Sequence, residues 1–161
     1  MLTALRFVSL FLMGLDVGLS FSHVLQWPIK VRYGPALYVA VQQSLYSNYG
    51  PAASAYELAA MAAALAWLWL VRHRPREFGR TRLGVLCIGA MLAVFLLRIR
   101  PLNAQQAAWT VRRLPANWHV VRDQWQLWHA IRVGVAALGW AALLAAALGR
   151  EPSRRAAAAA N

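Results

Sequence analysis

The residues richest in chemistry open the last long apolar segment of the chain: Trp125, Trp128, His129 and Arg132. Positions 125, 129 and 132 stand at i, i+4 and i+7, so on a helix they share one face. A histidine can act as general base or acid near neutral pH, and an arginine beside it can hold a developing oxyanion. Three more polar residues lie inside apolar sequence, where they are costly: Asp16, His23 and Glu57. Asp16, Ser20 and His23 repeat the i, i+4, i+7 spacing and form a second stripe. No P-loop, paired CxxC, HExxH, internal repeat or coiled-coil heptad accompanies them.

The elements that must position these groups follow from composition. Of 161 residues, 60% are hydrophobic, which excludes a disordered chain and an ordinary soluble domain and leaves room for one membrane bundle. The formal charge of +12 does not point to nucleic acid, because the arginines stand at the ends of apolar segments and in short loops. There they set topology and meet anionic lipid. Four segments are long enough to cross a bilayer: about 5–25, 52–71, 83–99 and 124–148. The expected fold is therefore all-α, an up-down-up-down integral membrane four-helix bundle occupying residues 1–149, with a disordered tail over 150–161. The N-terminal segment reads as a retained helix and not a signal peptide, since Asp16 interrupts it and no small-x-small cleavage site follows. Gly14 and Gly18 form a GxxxG, which either lets a neighbouring helix approach closely or is a chance pair.

Two long connectors, 26–51 and 101–124, are rich in Pro, Gly, Trp and Tyr. The first is expected to hold a short interfacial helix near 39–46, with Trp27, Tyr33, Tyr38, Tyr46 and Tyr49 at the headgroups. In the second, Pro101 is expected to stop the third helix. The arginine-dense stretch 72–82 reads as a loop. Cys87, the one cysteine, excludes an intrachain disulfide and reads as a small packed hydrophobe.

Alternation of helix direction then gathers the polar residues. His23, Glu57, Asn103, His129 and Arg132 all fall toward the end of the bundle that carries both long connectors, with Asp16 about 10 Å deeper. Such groups face the bundle interior and pair, and Glu57 with Arg132 is the pairing expected first. The other end carries nine basic residues against seven, in a denser loop, so both termini are expected in the cytoplasm of an inner (plasma) membrane protein.

Pro101-Leu-Asn103, Trp118 and Trp125 flanking Arg122, and Trp128-His129-Ala-Ile-Arg132 resemble the anthrone oxygenase-like family of small four-helix membrane proteins. The resemblance covers about residues 5–148. It is strongest in the C-terminal piece, while Gly18, His23, Pro28, Lys30 and Gln42 look like a bacterial subgroup. It implies oxidation of a lipophilic aromatic without a conventional cofactor. His129, Arg132, His23 and Glu57 would be the catalytic set, and Asn103, Trp125, Trp118, Trp128 and Gln42 would bind substrate.

Two other readings stand beside this one. His23, His129, Glu57 and His119 supply ligand types for iron, copper or haem, though no pair has ligand spacing within one helix. Alternatively the chain is a non-enzymatic binding or accessory module, alone or as a homo-oligomer, and the polar cluster only ties the helices together.

Overall fold

The computed structural model describes residues 1–46 and 49–149; the tail beyond, with Arg154 and Arg155, lies outside the described residues. The described chain is helical, in the order α1 (Leu2–Lys30), α2 (Pro35–Ser44), α3 (Tyr49–Leu70), α4 (Pro75–Val94), a π-helical turn (Phe95–Ile99), α5 (Arg100–Ala107) and α6 (Trp118–Leu148). α1, α3, α4 with its extension through α5, and α6 are each long and apolar enough to cross a membrane. They form the expected four-helix bundle of a multi-pass membrane protein, with lipid against its apolar outer faces. Phe7, Phe11, Leu58, Leu97 and Leu138 lie on those faces and are exposed.

All four helices run further than the apolar segments alone indicated. The arginine-dense stretch turns helical at Pro75, because proline at the first position needs no N–H and Arg74 precedes it with extended-side ψ. Pro101 does not stop the third membrane helix. A proline cannot donate to the carbonyl four residues back and its ring crowds that carbonyl. The chain absorbs this in the π-turn just before it, where the Arg100 N–H reaches the Phe95 carbonyl, and helix continues to Ala107. At the far end of the same connector, α6 starts at Trp118, so Arg122 and Asp123 are helical too.

Extra length changes depth. Asp16 falls at the middle of α1, and Arg132 at the middle of α6. Glu57 stands eight residues into α3, roughly 12 Å below its start. The polar site expected at the mouth of the bundle is therefore deep within it, and the three charged groups share one level.

The apolar core fills the opposite half. Met13, Ala60, Ala64, Trp67, Ile88, Met91, Ala136 and Leu143 are buried there. α4 and α6 cross closely at Gly84 and Gly139. A Cβ on Gly139 would stand 2.7 Å from Cys87 Cβ, and one on Gly84 would stand 2.5 Å from Leu143 Cδ2. This, and not the GxxxG of α1, is the close approach. Gly18 has nothing within 4 Å of where its Cβ would be, and Gly14 meets only the Trp140 ring. Cys87 is buried at that crossing as a small apolar group.

α2 begins with Gly34 as an extended N-cap and Pro35 at N1. Its Tyr38 is fully buried in the protein, 5.4 Å from the Trp118 ring and 6.4 Å from the Trp109 ring. Burial pushes the Tyr38 hydroxyl above its ordinary range, so it remains a donor, and it donates to Gln106 Oε1 at 2.8 Å. Tyr46 is also buried and donates to Gln26 Oε1; burial and the neighbouring Tyr49 and Tyr33 raise its hydroxyl to about 12.

Candidate functional site

One helix supplies most of the site. The buried positions of α6 follow the helical period: Arg122, Trp125, Gln126, His129 and Arg132, then Ala136, Gly139, Leu143 and Ala146. The first half of this stripe is polar and the second half is small and apolar. The same face therefore packs the core at one end and presents chemistry at the other.

Arg132 of α6 is held by two other helices, α1 and α3. Its Nη2 lies 2.8 Å from Glu57 Oε2 and 3.2 Å from Asp16 Oδ1, and its Nη1 donates to Ser20 Oγ at 2.6 Å. Arg132 is 3% exposed, Asp16 0% and Glu57 1%, so the charges can only compensate one another. The sequence left open which acid takes the guanidinium, and both do. Two carboxylates against one guanidinium make this a clamp with no surplus positive charge. Arg132 Nε and Glu57 Oε1 have no hydrogen-bond partner among the described residues.

The histidines lie one turn above. The His23 and His129 rings have centroids 4.2 Å apart, and Trp125 stands 4.2 Å from His129 and 4.9 Å from His23. Tyr46 and Tyr49 complete the surround, at 5.1 Å and 5.5 Å from His23. Neither ring nitrogen of His129 has a hydrogen-bond partner among the described residues, nor has His23 Nδ1. Buried polar groups are ordinarily paired, so these three unpartnered imidazole nitrogens are exceptions in this bundle.

That space is a cavity of 710 Å³ lined by His23, His129, Arg132, Ser20 and Trp125. Phe95 and Ile99 of the π-turn, Asn103, Gln106, and Gln42 and Gln43 of α2 line it as well. Its size suits a flat polycyclic molecule. Asn103 accepts from Trp125 Nε1 at 2.7 Å and so fixes the plane of the indole against the histidines.

Of the residues expected to bind substrate, Asn103, Trp125 and Gln42 line the cavity, and Trp118 and Trp128 do not. Trp118 packs on Tyr38 under Arg122, and Trp128 carries Arg98 over its ring at 5.0 Å. Both bear connector packing and cationic neighbours instead. Glu57 reaches the site only through Arg132. His119 is exposed on α6 and away from the cavity. Among the described residues no group of three His, Cys, Asp or Glu side chains is placed to hold a metal ion.

Sequence reasoning missed three residues. Lys30, read as a topological charge, is 1% exposed, with Nζ 3.8 Å above the Tyr46 ring and 4.7 Å from the Trp125 ring. Cation–π contact stands in for a counter-ion there, and Nζ has no hydrogen-bond partner among the described residues. Lys30 follows His23 at i+7, a signal available in the sequence and obscured by Pro28 between them. Gln106 is buried in the cavity wall. Glu77, taken as part of a loop, is buried at the far end of the bundle. There it accepts from Arg6, from Trp67 Nε1 at 2.8 Å and from Arg74 at 3.3 Å.

Comparison with protein-family models, with curated proteins and with solved structures returns no match for this chain.

Proposed function

We propose that the chain is an oxygenase-like membrane enzyme that oxidises a lipophilic aromatic substrate without a conventional cofactor, as the resemblance to the anthrone oxygenase-like family implies. The observation that carries this reading is His129: buried, lining a cavity large enough for a tricyclic ring system, with both nitrogens unpartnered. His129 takes a proton from an activated ring CH2. The carbanion, delocalised onto a ring carbonyl oxygen, passes electrons to O2, and a C–O bond forms. The peroxide takes up the proton, and loss of water leaves a new carbonyl, so that CH2 and O2 become C=O and H2O.

His23 holds the His129 ring by a tilted ring contact, and Trp125 and the tyrosines give the substrate an aromatic wall. The Arg132 guanidinium is engaged by two carboxylates, so its part in anion stabilisation falls to the free Nε edge. Lys30, behind Tyr46 and Trp125, adds a buried basic group that forms no ion pair among the described residues. The dense arginines of 72–82 favour an inner-membrane orientation with both termini in the cytoplasm.

The test is oxygen uptake by the purified protein in detergent with a simple anthrone. Wild type should consume one O2 per anthrone oxidised. His129→Ala should lose about a hundredfold or more of that rate, the share a general base supplies. Equal uptake by wild type and His129→Ala above the uncatalysed rate would reject His129 as the base. No uptake by wild type would favour the accessory-module reading.

A further inference from the structure

One side of the cavity is not closed by packing. α1, α3, α4 and α6 form the four sides of the bundle, each packed on its two neighbours. Between α3 and α4 that packing reaches into the far half. There Trp67 donates to Glu77 at 2.8 Å, and a Cβ on Gly89 would stand 3.8 Å from the end of Met61. Toward the connectors the third membrane helix continues as the π-turn and α5. The π-turn packs on α4, α5 and α6, and α5 packs on the π-turn and α2. Among the described residues neither makes an extended contact with α3. Yet both sides line the cavity: Phe95 and Ile99 from the π-turn, Pro51, Ala53 and Ser54 from α3. A gap therefore runs up this side of the bundle, from the cavity to the outer surface.

The lips of the gap are mainly apolar. On α3, Pro51, Ser54 and Leu58 share a face at i, i+3 and i+7; Pro51 and Leu58 are exposed and Ser54 is partly buried. On the other lip Leu96 and Leu97, beside Phe95, are exposed. Leu58, Leu96 and Leu97 belong to the outer faces that meet lipid, so the gap opens to hydrocarbon. The polar groups Ser20, His23, His129 and Arg132 line the inner end of the cavity. A ligand seated there turns its polar ring end inward and its apolar end to the gap. A bare three-ring molecule fills only part of the 710 Å³. The other edge of the cavity, at Gln43 and Ala107, is exposed beside the polar sequence of α5.

We propose that the ligand of this cavity is an aromatic ring system bearing a long hydrocarbon chain, and that the chain passes between α3 and the π-turn into the bilayer. A chain that leaves by this route stays in hydrocarbon before and after binding, so it costs the complex little. A chain directed past Gln43 and Ala107 would have to leave lipid for a polar rim. This names the substrate class of the proposed reaction and rests on the cavity being its site, but it requires no turnover.

The experiment titrates the full-length protein in phosphatidylcholine nanodiscs with anthraquinone and with the same ring carrying a dodecyl chain, read by tryptophan quenching. Comparing each probe between wild type and variant at one lipid content cancels its partitioning. Ser54→Phe adds a ring to the lip of the gap. It should weaken the chain-bearing probe about tenfold relative to the bare ring, the scale of an overpacked contact. Ala107→Phe at the polar rim should weaken neither probe by more than about twofold. A probe with a photoactivatable diazirine on its chain gives a second reading on the unaltered protein, and decides the matter if Ser54→Phe does not fold. Its adducts should fall within residues 51–58 and 95–99, and excess unlabelled probe should suppress them. Adducts at Gln43 and Ala107, adducts that excess probe leaves unchanged, or a folded Ser54→Phe that binds both probes as wild type does would overturn the assignment. A chain-bearing anthrone that binds with this dependence and is never oxidised would sink the oxygenase reading alone. Oxidation of it at an undiminished rate and affinity in Ser54→Phe would sink this one alone.

Discussion

Among the described residues two carboxylate–arginine clusters tie the bundle together, one at mid-depth and one at its far end, and they differ in what they leave unsatisfied. Glu77 joins α1, α3 and α4: Arg6, Trp67 and Arg74 all donate to it, and Trp67 is itself part of the apolar core. None of its atoms is left over. Arg132 joins α1, α3 and α6 through Asp16, Glu57 and Ser20, yet the atoms next to it are not all partnered, and a 710 Å³ cavity opens beside them. A saturated cluster has nothing to offer a ligand and serves packing alone. The cluster at Arg132 keeps unpaired atoms and has a cavity beside it, and the proposed chemistry rests on that difference.

The largest effect should come from breaking the deeper clamp. Arg132→Met leaves Asp16 and Glu57 buried without a cation and should cost about 3–5 kcal/mol, read as a fall in thermal unfolding temperature in detergent. Adding Glu57→Gln and Asp16→Asn to that variant should recover most of the loss, because the burden is the unpaired charge and not the missing contact. If the triple variant stays as unstable as the single one, packing and not charge accounts for the defect.

Glu77→Gln should cost less, about 1–2 kcal/mol. Its Trp67 hydrogen bond survives, and Arg6 and Arg74 are exposed enough to regain water. Ligand binding and oxygen uptake should be unchanged. A loss of either at full stability would mean that the two ends are coupled.

His129→Ala should change stability least, by about 1 kcal/mol or less, since no hydrogen bond is lost. It should nevertheless remove the activity. Cost in the clamps without loss of chemistry, set against loss of chemistry without cost at His129, is the pattern that separates scaffold from site.

Gly139→Leu probes the packed region between the clusters. Its Cβ alone would press on Cys87, and α4 and α6 would have to part. Overpacking of this kind should cost about 1–3 kcal/mol by thermal unfolding and leave oxygen uptake intact.

Much of this was legible in the chain. Four apolar stretches of bilayer length determine a four-helix membrane bundle, because only helices satisfy their own backbone in lipid. The i, i+4, i+7 spacings put Asp16, Ser20 and His23 on one face and Trp125, His129 and Arg132 on another. Alternation of direction brings those faces together. The Glu57–Arg132 pair follows from charge alone, since neither group tolerates burial unpaired.

What the tertiary structure decided was depth, surplus and partition. Hydropathy marks where a segment is apolar and not where its hydrogen-bonded helix ends, so helices running on to Tyr49 and back to Trp118 sank the clamp to the middle of the bundle. The π-turn before Pro101 carried Asn103 and Gln106 into the cavity wall, which no spacing rule predicts. Whether a tryptophan lines a cavity or props a connector depends on how neighbouring elements dock, and that divided Trp125 from Trp118 and Trp128. Lys30 and Glu77 look like surface charges in sequence. They become buried anchors because groups distant in the chain close around them, Tyr46 and Trp125 over Lys30 and Arg6 and Trp67 on Glu77, and the energy of a buried charge is set by such partners.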